Sequence, residues 1–370
     1  MGEEKPLDIV VIGLSLSSSW GNGHATTYRA LLRALAERGH AITFLERDQP
    51  WYAAHRDLAE PRWCRLAYYN SLASLQAWTK EIAGADAVIV GSYVPEGITV
   101  GAYVQAMAKG VTAFYDIDTP VTLAALEAGN CTYLAPEQIP GYDLYLSFTG
   151  GPTLDLLEER YGSPAARALY CSVDTDTYKP MELNKRWDLS YLGTYSPDRQ
   201  PTLEKLLIEP ARQRPDLRFV VAGPQYPEGI DWPSNVERID HVGPADHPAF
   251  YATSRWTLNV TRADMVKAGL SPSVRLFEAA ACGTAIISDR WAGIETLFEN
   301  RKSIMLATST KDVLRILATA KPEKIGAAAR QVIATGHSAR HRAAELEAYV
   351  REATALKAGP NFARAAGERS

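Results

Sequence analysis

The stretch GLSPSVRLFEAAACGTAIISDRWAGIETLFE, residues 269–299, reads as one helix followed by a buried strand. Ser271 suits an N-cap with Pro272 at the first helical position, which leaves the amides of Ser273 and Val274 pointing outward. Free amides at the positive end of a helix attract anions, phosphate above all. Arg275 and Glu278 are three residues apart on one face, with the carboxylate about 4.5 Å further along the axis. That is roughly the span from a pyrophosphate to its ribose: a guanidinium clamps phosphate oxygens, and a carboxylate accepts from two vicinal hydroxyls. Gly283 closes the helix and TAIIS (284–288) returns as a strand. An isolated R-x-x-E is most often an internal ion pair on an amphipathic helix, so the surroundings must decide.

Outward from this stretch, short β-rich apolar runs alternate with helical patterns over the whole chain, the signature of α/β folds with mostly parallel strands. Before it lie DLSYLG (188–193), LRFVVAG (217–223) and WTLNV (256–260), and after it SIMLA (303–307), which together imply one sheet. The first half offers DIVVIGL (8–14), AITFLE (41–46), DAVIVGS (86–92), VTAFYDI (111–117), YDLYLSF (142–148) and ALYCS (168–172). Helical stretches between them close on Gly39 and Gly162, suited to left-handed caps. At 370 residues and 46% hydrophobic, the chain is long enough for two cores. The polar segment VDTDTYKPMELNKRW, containing Pro180, reads as the linker. The expected layout is a Rossmann-like unit over 1–180, a second over 181–340, and a C-terminal helix with a flexible tail over 341–370. Two doubly wound units in series place a cleft at the carboxyl ends of their strands, where open α/β sheets bind ligands.

Composition excludes several classes. A net charge of -4 gives no overall drive toward nucleic acid or an anionic membrane. Cys64, Cys131, Cys171 and Cys282 are scattered without C-x-x-C spacing, which argues against a zinc site or a disulfide framework and favours the cytoplasm. The N-terminal apolar run is too short for a signal peptide or a spanning helix. The sequons at Asn130 and Asn259 read as chance matches in such a protein. A homodimer is compatible with the sequence.

The segment 273–283 has the form S-x-R-x-F-E-A-x-A-x-G and resembles the nucleotide-sugar site of GT-B glycosyltransferases, more narrowly the CgeB-like group. The resemblance covers essentially residues 8–350. It implies a GT-B architecture, two Rossmann-like domains facing a cleft with a C-terminal helix crossing back. It further implies that Glu278 holds the donor ribose, while Arg275 and the amides of Ser273 and Val274 hold the diphosphate. Gly193, Thr194 and Arg199, after the first strand of the second half, are further diphosphate candidates. An arginine at a helix start is otherwise unfavourable, although a solvated surface arginine explains it equally well. The base would rest on backbone near Gly223, Val242 and Gly243. One departure stands out: many retaining members carry a second glutamate eight residues before the first, where this chain has Leu270, leaving the donor sugar and stereochemistry open.

In the first half, Gly21-Asn22-Gly23-His24 imitates a dinucleotide fingerprint. The spacing fails, because seven residues separate Gly13 from Gly21 and Thr26 stands where the third glycine belongs. Glu46, at the end of a strand, imitates the ribose acid of nicotinamide enzymes, which keeps an NAD-dependent oxidoreductase as an alternative. Under the glycosyltransferase resemblance, the loop instead lines the cleft, and His24 acts as general base, hydrogen-bonds the sugar, or only caps its helix. Asp118 reads as a cleft residue and Asp116 as structural; their D-x-D spacing recurs in metal-binding GT-A enzymes, but a helix end and arginines can neutralise a leaving diphosphate without metal. Tyr93 and Glu96 after the third strand, and Trp20 and Trp51 with Tyr52, His55 and Arg56, are acceptor candidates; the tryptophans could equally pack on their own domain.

These readings point to a metal-independent transfer of a sugar from a nucleotide-diphosphate donor, UDP-linked or another, to a small-molecule or glycan hydroxyl, with no cofactor. Catalysis would rest on Arg275, Arg199 and helix amides stabilising the leaving diphosphate, with His24 and Asp118 at the reaction centre. A nucleotide-sugar epimerase on the same fold and a non-catalytic sugar-nucleotide sensor are the other readings.

Overall fold

The computed structural model describes residues 5–20, 23–171 and 173–367, with side chains to 359. The chain divides into two compact units, Met1–Tyr170 with Ala339–Ser370, and Cys171–Ser338. The first therefore ends ahead of Pro180.

Unit one is built on seven parallel strands: β1 (Asp8–Gly13), β2 (Ala41–Arg47), β3 (Arg65–Tyr69), β4 (Ala87–Gly91), β5 (Val111–Asp116), β6 (Leu144–Ser147) and β7 (Ala166–Ala168), in the order β3-β2-β1-β4-β5-β6-β7. The central strands are continuous runs of Val, Ile and Phe because both sheet faces are covered. Val10, Ile12, Val88, Val90 and Phe114 are buried in the core, each contributing about 1.5–3 kcal/mol by burial. Strand order reverses between β1 and β4, so the loops after them flank a switch point.

Unit two carries β8 (Trp187–Leu192), β9 (Phe219–Ala222), β10 (Val236–Ile239), β11 (Ser254–Asn259), β12 (Ala285–Ser288) and β13 (Met305–Leu306), all parallel, ordered β10-β9-β8-β11-β12-β13. Leu189, Val221, Trp256, Leu258 and Ile287 form its core. Here the reversal falls between β8 and β11.

Several expectations shift. The strand expected at 168–172 is found at Ala166–Ala168, and the edge strands β3 and β10 were not read from the sequence. The helix expected to begin at Ser271-Pro272 begins at Val274, with Ser273 as N-cap. Leu270 takes a positive φ of 44° and its N–H bonds the Ala292 carbonyl at 2.7 Å, so residues 269–272 are docked on another loop and cannot join the helix. The last helix is Ala339–Gly367. It is grouped with unit one, packing on the helix His24–Glu37. Among the described residues, no helix is long and apolar enough to cross a membrane.

Candidate functional site

In unit two, Arg275 lies across the switch point. Its Nε donates to the Leu192 carbonyl at the end of β8 (2.5 Å) and its Nη1 to Asn259 Oδ1 at the end of β11 (3.1 Å). The guanidinium also lies over the Tyr191 ring, 4.9 Å from its centroid. Asn259 is itself oriented: its amide donates to Thr261 Oγ1 (3.1 Å) and Ser288 Oγ (2.9 Å), while Asp289 gathers the N–H and hydroxyl of Thr261. Sequence reading missed this bracket; a polar residue ending an otherwise apolar strand, as in WTLNV, was its only signal. Asn259 is fully buried, so its sequon is out of reach of modification.

Arg199 precedes the short helix Gln200–Leu203 and is buried rather than solvated, 9% exposed. Its Nη2 donates to the Thr194 carbonyl (2.6 Å), and its Nε, also buried, has no partner among the described residues. Burial, with the positive charges of Arg275 and Arg262 nearby, lowers its pKa. Adjacent Asp198 accepts from the Ala263 N–H (2.9 Å) and the Ser196 hydroxyl; against burial, these bonds and the nearby charges of Arg199 and Arg262 lower its pKa. Among the described residues, neither Arg199 nor Arg275 forms an ion pair with a carboxylate. Two neighbouring buried cations that lack a carboxylate ion pair are costly to desolvate, and a bound anion would stabilise both.

The backbone around them has no room for side chains. A Cβ on Gly193 would meet Arg275 Nη2 and Tyr191 Oη, each at 2.7 Å, and one on Gly223, whose φ is 142°, would meet the Gly193 carbonyl at 2.1 Å. Ser273 Oγ accepts from the Arg275 N–H (3.4 Å), so at this helix start the cap hydroxyl serves the second amide, and the Leu276 N–H turns back to the Ser273 carbonyl (3.1 Å). Val274 is the first helical residue.

Glu278 is 4% exposed and does not pair with Arg275. Its Oε2 accepts from Tyr251 Oη (3.1 Å) and lies 3.5 Å from His247 Nδ1, while Oε1 makes neither contact. The internal i,i+3 ion pair is thus not formed; the two side chains diverge toward different partners. His247 Nε2 contacts the carbonyl of Val242, in the loop with Gly243, at 3.2 Å. The sequence singled out neither His247 nor Tyr251.

In unit one, Gly21 and Asn22 lie outside the described residues. Gly23 is the N-cap of the helix His24–Glu37, with no side-chain cap bond, so His24 is its first residue rather than its cap. Burial of His24 lowers its pKa to about 4, leaving a neutral ring whose buried Nδ1 has no partner among the described residues. Its edge meets Tyr93 (centroids 5.3 Å), and Tyr93 Oη donates to Asp118 Oδ2 at 3.4 Å. His24, Tyr93 and Asp118 are therefore brought together beside the β1/β4 switch point. Tyr93 and Glu96 both adopt positive φ, 61° and 56°, a strain of about 1–3 kcal/mol per residue of the kind concentrated at functional sites. Glu96 is exposed and pairs with Arg47 at 3.1 Å.

Asp116 is fully buried and accepts from Tyr145 Oη (2.6 Å) and Thr122 Oγ1 (2.7 Å); burial raises its pKa to about 6 against those bonds. Among the described residues, no cluster of three or more His, Cys, Asp or Glu could hold a metal. Trp20 stacks on His55 (4.6 Å, 13°), whose Nδ1 contacts the Trp51 carbonyl at 2.8 Å. The two indoles are 49% and 51% exposed, so neither is buried in the unit's core. Glu46 overturns the nicotinamide alternative: it is fully buried, and its carboxylate accepts from Leu16 N (2.7 Å), Ser17 N (2.8 Å), Ser17 Oγ (2.6 Å) and Ser15 Oγ (3.2 Å). It shapes its own loop and has nothing left for a ribose.

Both sheets reverse strand order as nucleotide-binding α/β units do, and comparison with solved structures gives the pairing a precedent. Sucrose-phosphate synthase from Thermosynechococcus elongatus is similar with a TM-score of 0.67, 14% identity, and coverage of 95% of this chain and 100% of that one. HepE of Anabaena, solved with UDP-glucose, is similar at 0.64, 13% identity, and 94% and 100% coverage. The chain has the GT-B fold. At such identities the GT-B likeness speaks for architecture alone. By sequence, residues 199–348 match the glycosyl transferase-like family model, a span that includes Arg199, Arg275 and Glu278. No curated protein matches the chain.

Proposed function

We propose that this GT-B protein transfers a sugar from a nucleoside-diphosphate sugar to an acceptor hydroxyl without a metal, and that it belongs with the CgeB-like group. The observation that carries the reading is the pair of buried guanidiniums at the β8/β11 switch point, Arg199 and Arg275, neither of which forms an ion pair with a carboxylate among the described residues. The family match over 199–348 supports it, as does the UDP-glucose bound by HepE.

The donor diphosphate lies against Arg275, Arg199, the Gly193–Thr194 backbone and the helix start at Ser273 and Val274. The ribose hydroxyls reach Glu278, and the base lies along Gly223, Val242 and Gly243. Chemistry breaks the bond from the anomeric carbon to the β-phosphate oxygen and forms one to the acceptor oxygen. Charge building on the departing diphosphate is met by guanidiniums already in place, which need no reorganisation. On the acceptor side, neutral His24 has a lone pair for the acceptor proton, with Asp118 and Tyr93 contacting the sugar. Trp20, Trp51 and Glu96 are the outer acceptor contacts.

The test is calorimetric titration with UDP-, ADP-, GDP- and dTDP-glucose, followed by product analysis with and without added acceptors. One of the four is expected to bind, and Glu278→Ala to weaken it by about 1–3 kcal/mol. Unchanged affinity in a folded Glu278→Ala protein removes the ribose assignment. A new sugar nucleotide formed without acceptor identifies an epimerase instead.

A further inference from the structure

His247 opens the helix His247–Ala252 and stands between two acceptors. Its Nε2 is 3.2 Å from the Val242 carbonyl, which can only accept, so Nε2 carries a proton. Its Nδ1 is 3.5 Å from Glu278 Oε2 and 3.4 Å from Tyr178 Oη. With a second proton on Nδ1, the ring donates at both ends and Glu278 is held through Oε2. Without it, a nitrogen lone pair faces the carboxylate, and the Tyr178 hydroxyl turns to the ring. We propose that His247, as an imidazolium, is a positioning residue that ties the ribose carboxylate Glu278 to the base loop at Val242, so that donor affinity falls as pH rises past neutrality. This rests on the donor-site reading above.

The surrounding groups favour the cation. Burial opposes it, but the hydrogen bond and charge of Glu278, with the Val242 carbonyl, outweigh burial and raise the pKa of His247. Arg275, from the same helix as Glu278, works weakly against it. Tyr178 and Tyr251 are neutral phenols held well above their usual range by burial. Asp246 beside it is exposed, and on β11 the charged Arg255 is paired with Asp188 at 3.3 Å. For a raised pKa, the cation's contribution is complete below the ordinary value of 6.5 and is lost as pH climbs through the raised one.

The experiment is calorimetric titration of the full chain from pH 5.5 to 8.5 with UDP-glucose, or the tightest of the four glucose nucleotides, whose diphosphate keeps its charge over that range. Wild-type affinity should fall roughly fivefold or more across the range, a typical coupling. The profile should be flat and weak in His247→Gln, and flat with affinity restored in His247→Lys. In wild type, the His247 resonance should titrate at higher pH with nucleotide bound than without, as linkage requires, which keeps the test open if a variant does not fold. A flat wild-type profile, a His247→Gln profile with the wild-type slope, or a His247 titration unmoved by nucleotide overturns the inference and leaves the donor site standing. Failure of wild type to bind any of the four nucleotides at any pH overturns the donor reading and this inference with it.

Discussion

Arg199 and Arg275 sit at residue positions where a protein seeking only stability would place apolar groups. Each satisfies part of its fork on backbone carbonyls, Thr194 for one and Leu192 for the other, and among the described residues neither forms an ion pair with a carboxylate. Arg199→Met should accordingly leave the ligand-free protein as stable as wild type, or raise its melting temperature, because a buried charge next to a like charge is removed. The same variant should lose most of the melting-temperature rise that a bound donor nucleotide gives wild type. Thermal scans with and without nucleotide check both halves, and a variant less stable when empty but still fully shifted by ligand contradicts the argument. The sequence drew attention to Arg275 and Glu278 through their spacing on one helix face, although that helix starts at Val274 and not at Pro272. It did not show where either side chain points, because that is set by Asn259, Tyr251 and His247, brought in from β11 and the preceding helix by the folded sheet.

Elements were legible where burial is two-sided. β1, β4, β5 and β12 are mostly apolar and buried along almost their whole length, and the sequence placed them to within a residue or so. β3 (RLAYY) and β10 (VERI) escaped because an edge strand is short, half exposed and free to carry charge. Glycines at strand ends carry a stricter message. Gly223 follows β9 with a φ of 142° and presses on the Gly193 carbonyl, so the loops after β8 and β9 are joined where a side chain would separate them. Gly223→Ala should destabilise unit two by about 1–3 kcal/mol from backbone strain alone and weaken nucleotide binding further by displacing Gly193 from Arg275. Urea denaturation and calorimetric titration measure the two losses separately. Wild-type stability in the variant would mean that the loop relaxes freely, and that the Gly193 backbone is not held in place by its neighbour.

For the molecule as a whole, the chain makes two sheets in succession and then returns to the first unit through Ala339–Gly367. The family resemblance implied a crossing helix here, but the polar anchor that fastens the last helix within unit one could not be read from SARHRAAELEAYVREATALK. The anchor is Glu347, 6% exposed, which accepts from Arg38 Nε (2.8 Å) and Arg351 Nη2 (2.7 Å) and lies 3.2 Å from His40 Nε2. His40 Nδ1 meanwhile accepts the Leu7 N–H at 3.1 Å, linking the last helix to the residue before β1. Burial works against the charge on Glu347, but these donors prevail and lower its pKa to about 2 from an ordinary 4.5. Its stabilisation is therefore complete above pH 4.5 and lost as pH falls toward 2. Glu347→Gln should cost about 2 kcal/mol at pH 7, the scale of a charge-assisted hydrogen bond, and the deficit should shrink as wild type loses the same contribution in acid. Urea denaturation of unit one at pH 7 and pH 3, followed by a fluorophore on the last helix, tests this. An equal deficit at both pH values would mean that the side chain acts through packing and hydrogen bonding alone, with its charge contributing nothing to holding the helix.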